Sequence, residues 1–390
     1  MISETLRSLA RCPECRGALV VGPDEVVCTA CGTRYPQTSR DVLDLRPRQA
    51  FGETTRYVDE ALHADRRQDS IAPPVLGAAL KNDVLRELLD PQPGELVIDL
   101  GCGSGRTLVW NRETGAALVG VDVSPFIAAD AKPLVDLALA DLRRLPFADG
   151  AFDKAYSLDV VEHLSRDALT AVLAEAARVV APGGRLFVYS HVRKNSPLAW
   201  GLKTINRLAR ALERVGLVDL AQERIRKSDH LNPLADIPDL RRTMAAAGFR
   251  VVSIRYYTPL VGAVIENILV RMVERQMTRR AARRMASRQG ASGGSTEVDA
   301  DAVREARTTG KALVARRGLV YRGLRAATAI MKIDLWAFGH VETGPFFALV
   351  EREPVPGGSG DGARLDAAAR ERRPTDRGTP RPEAATTGPA

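Results

Sequence analysis

From about residue 95 the chain alternates short apolar runs with longer segments of helical period. Runs at 95–100, 117–122, 136–140, 152–157, 185–190 and 249–256 have strand length and are rich in Val, Ile and Leu. Runs of this kind, separated by helices, read as strands of a largely parallel sheet covered on both faces. Between them the sequence predicts helices from Arg106, from Ser124-Pro125, over about 165–180 and over 239–247. Ser is a good N-cap and Pro suits a first turn, while Pro182-Gly183-Gly184 makes a sharp stop. A last strand is expected near 345–352, and a helix over 77–89 precedes the first strand.

Two helical stretches interrupt this rhythm. In the first, 196–227, Leu202, Ile205, Leu208, Ala209 and Leu212 share a face, and Lys203, Arg207, Arg210 and Arg214 form a basic stripe. In the second, 259–340, Leu260, Val261, Val264, Ile265, Ile268, Leu269, Met272 and Val273 give a wide apolar face. Arg279, Arg280, Arg283, Arg284 and Arg288 follow at once. A polar gap, 289–301, precedes another helix at about 311–336. These insertions read as a cap over an active site, as a basic amphipathic surface for a membrane, or as stripes that bind nucleic acid.

The N-terminus has a different pattern. Cys12-Pro13-Glu14-Cys15 and Cys28-Thr29-Ala30-Cys31 are two C-x-x-C knuckles twelve residues apart. The apolar residues between them predict a spacing hairpin, and four thiolates at this spacing suit tetrahedral Zn²⁺. A module this small cannot bury enough core to fold without its metal. With Tyr35-Pro36 and Val42-Leu43-Asp44-Leu45, it resembles a Trm112-type zinc ribbon.

The first apolar run ends in Asp99-Leu100-Gly101-Cys102-Gly103-Ser104-Gly105-Arg106. Glycines on alternate positions, between a strand and a helix, bring bare N–H groups to a ligand. A second run ends on Asp122, 19 residues after Gly103, the spacing at which a carboxylate meets a ribose diol. The dinucleotide fingerprint G-x-G-x-x-G fails at Arg106, and Asp99 would sit badly beside a pyrophosphate. The pattern resembles the first motifs of the class I S-adenosylmethionine (SAM) methyltransferases. The resemblance continues through Asp141-Leu142, Leu145-Pro146-Phe147, Phe152-Asp153, 158–164 and 176–186, and covers roughly 91–257 and 345–352. It implies a Rossmann-like α/β sheet with helices on both faces, joined to a small N-terminal zinc ribbon and helical insertions. It also implies SAM contacts from Asp99, Gly101, Cys102, Gly103, Gly105, Asp122, Val123, Asp141, Leu142 and Leu158. Asp141 and Leu142 hold the adenine in this scheme.

The chain then divides into a ribbon (1–46), a linker with a cap helix (47–93), the SAM-binding domain (94–258), the second helical insertion (259–340), a final strand (341–354) and a disordered tail (355–390).

Three histidines fall at strand ends or in segments facing them: His163, His191 and His230. They are the candidate bases, since an oxygen or nitrogen acceptor can need one. His63 and His340 lie outside this rim. Asp159, Glu162 and His163 also resemble an acid-x-x-Glu-His element that holds Mg²⁺ in ubiquinone-pathway O-methyltransferases.

The chain has 390 residues, 45% of them hydrophobic and 27% charged, ordinary for a globular protein. Its net charge of +8 permits an anionic partner without demanding one. Residues 1–10 carry no apolar signal core, no run is long enough to span a bilayer, and five cysteines fit a reducing compartment. The expectation is a cytoplasmic protein, with peripheral membrane contact through the basic helices. Ser157-Leu158-Asp159-Val160 is not the loop that grips a planar exocyclic amine, and Cys102 is the one cysteine outside the knuckles. Aromatic residues make up 5% of the chain, thin for stacking on single-stranded RNA. The expected acceptor is therefore a small or lipid-linked molecule, methylated on oxygen. The alternatives are an rRNA or tRNA base methyltransferase with a zinc module, and a non-catalytic scaffold of the same fold.

Overall fold

The computed structural model describes residues 2–37, 39–46, 70–193, 198–220, 224, 230–289, 295–342 and 344–354. His63 and the expected tail, 355–390, lie outside the described residues.

The centre is an eight-stranded sheet. Its strands are β4 (Leu43–Asp44), β5 (Leu96–Leu100), β6 (Ala117–Asp122), β7 (Asp136–Leu139), β8 (Phe152–Leu158), β9 (Val180–His191), β10 (Phe249–Tyr256) and β11 (Pro345–Arg352). They run in the order β10-β11-β9-β8-β5-β6-β7-β4. Every neighbouring pair is parallel except the two that β11 makes with β9 and β10. The C-terminal ends of β5, β6, β7, β8 and β9 therefore lie along one edge, where open α/β sheets bind ligands. All five residues of β5 are buried, as expected for a strand covered on both faces.

The apolar runs predicted these strands closely, with two differences. The segment after Ser124-Pro125 forms turns, not a helix. The Ser124 hydroxyl caps nothing, Ile127 closes a tight turn onto the Pro125 carbonyl at 2.9 Å, and Ala128 donates to the carbonyl of Ser104 at 3.1 Å, so the segment folds back on the glycine loop. The fifth strand begins at Val180, before the Pro-Gly-Gly stop, and its register against β8 shifts between Phe152 and Lys154. That bulge absorbs the extra residues.

The N-terminal ribbon joins this sheet. Helix α1 (Glu4–Leu9) is capped by Ser3, whose side chain accepts from the Leu6 amide. A three-stranded antiparallel sheet, β1 (Leu19–Val21), β2 (Glu25–Cys28) and β3 (Arg34–Pro36), carries the expected hairpin and one strand more. The chain then adds β4 to the edge of the main sheet, pairing Leu43 with Ala138 and Asp44 with Leu139. Leu6, Val26, Leu43 and Leu45 share one buried cluster with Ala138, Ala140 and Phe147.

Helix α2 (Leu76–Leu89) packs across the sheet, followed after β5 by α3 (Arg106–Asn111), after β8 by α4 (Arg166–Val179), and before β10 by α6 (Ile237–Ala246). The insertions form α5 (Ala199–Arg214) and a chain of α7 (Leu260–Val264), a π-helical turn (Ile265–Val270), α8 (Arg271–Gln289), α9 (Ser295–Ala315) and α10 (Leu319–Phe338). The polar gap is thus shorter than expected, and the helix expected at 311–336 is two helices. The break falls at Arg317, at φ 50°, and Gly318. The wide apolar face at 260–273 is divided. Ile265 and Ile268 are buried, whereas Leu269 is 53% and Val273 57% exposed. Buried Asp334 of α10 accepts from the amides of Val261 and Gly262 at 3.0 and 2.8 Å. Thr328 of α10 and Glu266 likewise accept from the first amides of α2, so the second insertion is pinned to α2 through helix-end amides that would otherwise lack partners.

Candidate functional site

The glycine loop follows directly from β5. Gly101 and Gly103 have φ values of 88° and 53°, conformations that favour glycine. Their surroundings differ. A Cβ on Gly101 would collide with the Val160 Cγ2, whereas one on Gly103 would meet no atom within 4 Å. Gly101 therefore packs the loop against the end of β8, and Gly103 faces open space at the sheet edge. The amides of Gly101 and Cys102 donate to the Val121 carbonyl at 2.9 and 3.1 Å, which lashes the loop to β6.

Asp122 ends β6. Its two carboxylate oxygens accept from the amides of Gly103 and Ser124 at 2.7 and 2.8 Å. Burial raises its carboxyl above the ordinary value, against the lowering effect of these amides. Asp99 is 2% exposed. Burial pushes its carboxyl well up, and the nearby Asp122 charge adds to the effect. Burial also pushes the Cys102 thiol well up. Val123 and Leu158 are half-buried beside these groups. Asp141 is held by its neighbour: both Arg143 Nε and Nη2 donate to it, at 3.0 and 2.8 Å. Leu142 packs on the core beneath. The open space beside Gly103, with Asp122 at its border, suits a ligand that presents hydroxyls to a carboxylate and needs close backbone approach.

A second group gathers at the ends of β8 and β9. Glu162 is 1% exposed. The Ser190 hydroxyl donates to its Oε2 at 2.8 Å, and His191 Nδ1 lies 3.6 Å from its Oε1. Burial alone would raise this carboxyl, but the His191 imidazole, a backbone amide and Ser190 outweigh it and bring it down to about 2. The backbone carbonyl of Glu162 accepts from Leu231 and Asn232 at 2.8 and 2.9 Å, which carries His230 to the same place. The rings of His163 and His230 meet edge to face at 4.7 Å, and those of His191 and His230 are 6.3 Å apart. Three histidines from separate stretches of sequence thus share one rim.

The acid-x-x-Glu-His trio is redrawn. Asp159, in a left-handed conformation with φ 56°, is bound by Lys81 Nζ at 2.6 and 2.7 Å. The groups that approach within 4.8 Å of one another are Glu162, His163 and His230. Two imidazoles and one carboxylate are not the oxygen set that Mg²⁺ takes, so the expected Mg²⁺ is not supported. Lys81 comes from α2, 78 residues before Asp159, and its ammonium lies 4.2 Å from the centre of the Tyr189 ring. Nothing in the local sequence marks Lys81 or Ser190. Their partners are distant: the Lys81 contact exists only once α2 lies over the sheet, and the Ser190 contact only once β9 pairs with β8. His340 is exposed.

Cys12, Cys15, Cys28 and Cys31 converge as the knuckles predict, with all four sulfurs within 4.8 Å of one another. Cys12 and Cys31 Sγ are 3.7 Å apart and Cys15 and Cys28 Sγ 3.5 Å. Four sulfurs at zinc's bond length of about 2.3 Å would be about 3.8 Å apart, so the arrangement fits Zn²⁺.

Residues 98–188 match the methyltransferase domain family. Methyltransferase GfsG of Streptomyces halstedii is 32% identical over 169 residues, covering 40% of this chain and 60% of that protein. The demethylmenaquinone methyltransferase of Corynebacterium kroppenstedtii is 34% identical over 176 residues, covering 44% of this chain and 76% of that protein. Among solved structures, phosphoethanolamine N-methyltransferase 2 of Haemonchus contortus, bound to SAM, aligns at 15% identity with a TM-score of 0.44. The alignment covers 77% of this chain and 58% of that one.

Proposed function

The chain belongs to the SAM-dependent methyltransferases, and from that premise we propose that it methylates an oxygen of a small-molecule acceptor with His191 as the base. The observation that carries this reading is the buried Glu162 carboxylate beside His191 Nδ1. The Nδ1 atom is buried and makes no hydrogen bond, so the carboxylate 3.6 Å away governs it. A carboxylate behind one ring nitrogen favours the tautomer that carries its proton there and leaves Nε2 to accept another.

SAM supplies, when bound, an already activated methyl group on a sulfonium. The amides around Gly101, Cys102, Gly103 and Gly105 would line its cradle, with Asp122 at the ribose. Asp99, Val123 and Leu158 would border it, and Asp141 and Leu142 would lie at the adenine. The chain's own contribution is then position and a proton acceptor. His191 Nε2 would accept the hydroxyl proton of the acceptor, leaving that oxygen free to take the methyl group that SAM would supply. Ser190 and Glu162 hold the imidazole while it carries the proton. His163 and His230 stand beside it, where they would shape the acceptor pocket. Zn²⁺ on the four cysteines would be structural.

The uncovered apolar positions of the helical cap favour a second reading, in which the acceptor is lipid-linked. Among the described residues no helix is long and apolar enough to cross a membrane, so such an acceptor would be reached from the surface.

The test is transfer of a labelled methyl from SAM to a panel of hydroxylated small molecules, lipid-linked hydroxyls and bulk tRNA and rRNA. Labelling of a small or lipid-linked hydroxyl, lost in His191→Gln with SAM affinity retained, supports the reading. Labelling of RNA alone, or transfer undiminished in His191→Gln, overturns it.

A further inference from the structure

Helix α5 has two rows of exposed side chains that its packing leaves uncovered. Its inner face is accounted for: Ile205, Ala209 and Leu212 pack with Val218, Leu220 and Ile268. Leu208, which the sequence places with this set, points outward and is 52% exposed. It belongs to an outer row at helical spacing, Trp200, Thr204, Leu208, Ala211 and Val215, in which Trp200 is 72% and Val215 70% exposed. The adjoining row is Lys203, Arg207, Arg210 and Arg214, all exposed. The acid on this helix, Glu213, is engaged by Arg224 at 2.8 and 2.9 Å, so it does not offset the row.

We propose that this outer face of α5 docks the protein on an anionic lipid bilayer. The inference deepens the lipid-linked reading and rests on it for its purpose. An exposed indole and two exposed aliphatic side chains gain by entering the boundary between head groups and acyl chains. A row of four cations beside them meets anionic head groups at the same depth. Nucleic acid would satisfy the cations and leave Trp200, Leu208 and Val215 in water, so phosphodiester is the poorer match. The position is also apt. Helix α5 begins eight positions after His191 along the chain, and Asn267 of the cap bonds to its Asn206 at 3.3 Å. The cap continues the theme beyond α5: Leu269 and Val273 are uncovered, and Arg280, Arg283 and Arg284 are exposed. Arg275 and Arg279 are structural, since they donate to the carbonyls of Val218 and Gly216 at 2.9 Å each.

The full chain is sedimented with vesicles of phosphatidylcholine alone and with vesicles containing 30% phosphatidylglycerol, at low and high salt, with SAM affinity measured in parallel. The expected result is binding to the anionic vesicles, released by salt. The combined Lys203→Gln, Arg207→Gln, Arg210→Gln and Arg214→Gln variant should bind about a hundredfold or more weakly, since four charges are removed and each near such a surface contributes roughly fivefold. Trp200→Ser with Leu208→Ser should weaken binding independently of salt. SAM affinity should not change in either variant, which confirms the fold and separates this surface from the reaction site. No binding to anionic vesicles at low salt, or parental binding by both variants, overturns the proposal. Salt-sensitive binding to RNA without binding to vesicles overturns it in favour of a nucleic-acid surface. Failure here, with methyl transfer to a soluble hydroxyl intact, leaves the base assignment standing.

Discussion

The carboxylate of Asp122 holds the amide of Gly103, nineteen residues earlier in the chain, at 2.7 Å. One acid thus closes the glycine loop, and in the proposed function the same carboxylate would meet the ribose. Asp122→Ala should weaken SAM binding by about 1.5–3 kcal/mol, the scale of a lost charge-assisted hydrogen bond. Asp122→Asn should fall between, because an amide still accepts. Titration calorimetry that finds unchanged affinity in Asp122→Ala would remove the ribose assignment.

The two loop glycines should separate fold from binding. Gly103→Val puts a side chain into open space, so its folded-state cost is backbone strain of about 1–3 kcal/mol, while SAM binding should be lost. Gly101→Ala adds to the same kind of strain a clash with the Val160 side chain, and should lower the melting temperature more. Thermal melts with and without SAM distinguish them. Retained binding by a folded Gly103→Val protein would count against the cradle.

Much of this loop was legible in the sequence because its information is local: a strand, alternate glycines and an acid at a set spacing. The four cysteines were legible for the same reason. The end of the ribbon was less so. Two residues, Leu43 and Asp44, suffice to extend the main sheet, and so short a run gives no periodic signal. Ser124-Pro125 reads as a helix start because capping is a local preference, but the Ala128 amide that follows bonds instead to Ser104 of the distant glycine loop. The histidine rim lies between these cases. Each histidine was visible at a strand end or facing one. That Glu162 would serve His191, and that Lys81 would take Asp159, depends on elements brought together by the sheet.

The ribbon's shared core predicts how metal and fold are coupled. One Zn²⁺ per chain is expected by metal analysis, held by Cys12, Cys15, Cys28 and Cys31. Chelation should lower a single melting transition of the whole protein, because Leu43 and Leu45 are buried in the same cluster as Phe147. Leu43→Ala should cost about 2–5 kcal/mol, the range for truncating a buried leucine. An unmoved main transition after chelation would mean that the ribbon folds independently of the sheet.

The last prediction concerns acid. Glu162 has a folded-state pKa of about 2, below the unfolded value of about 4.3. A depressed carboxyl contributes stability that is present above the unfolded value and lost as the pH falls through the folded one. The window therefore runs from about pH 4.3 down to about 2. His191 is the side chain that most lowers this pKa, against a burial effect that would raise it. His191→Ala should thus let burial prevail, raise the Glu162 pKa and move the acid-unfolding midpoint upward. His191→Ala with Glu162→Gln should restore part of the loss, since no buried carboxylate then remains to be neutralised. The same His191 substitution should cut methyl transfer by about 10²–10⁴, the usual contribution of a positioned base, with SAM affinity intact. Acid unfolding followed by circular dichroism, alongside single-turnover transfer, reads both effects. An unchanged acid midpoint in His191→Ala would mean that the imidazole does not hold Glu162 ionised, and an undiminished transfer rate would mean that the base lies elsewhere on the rim.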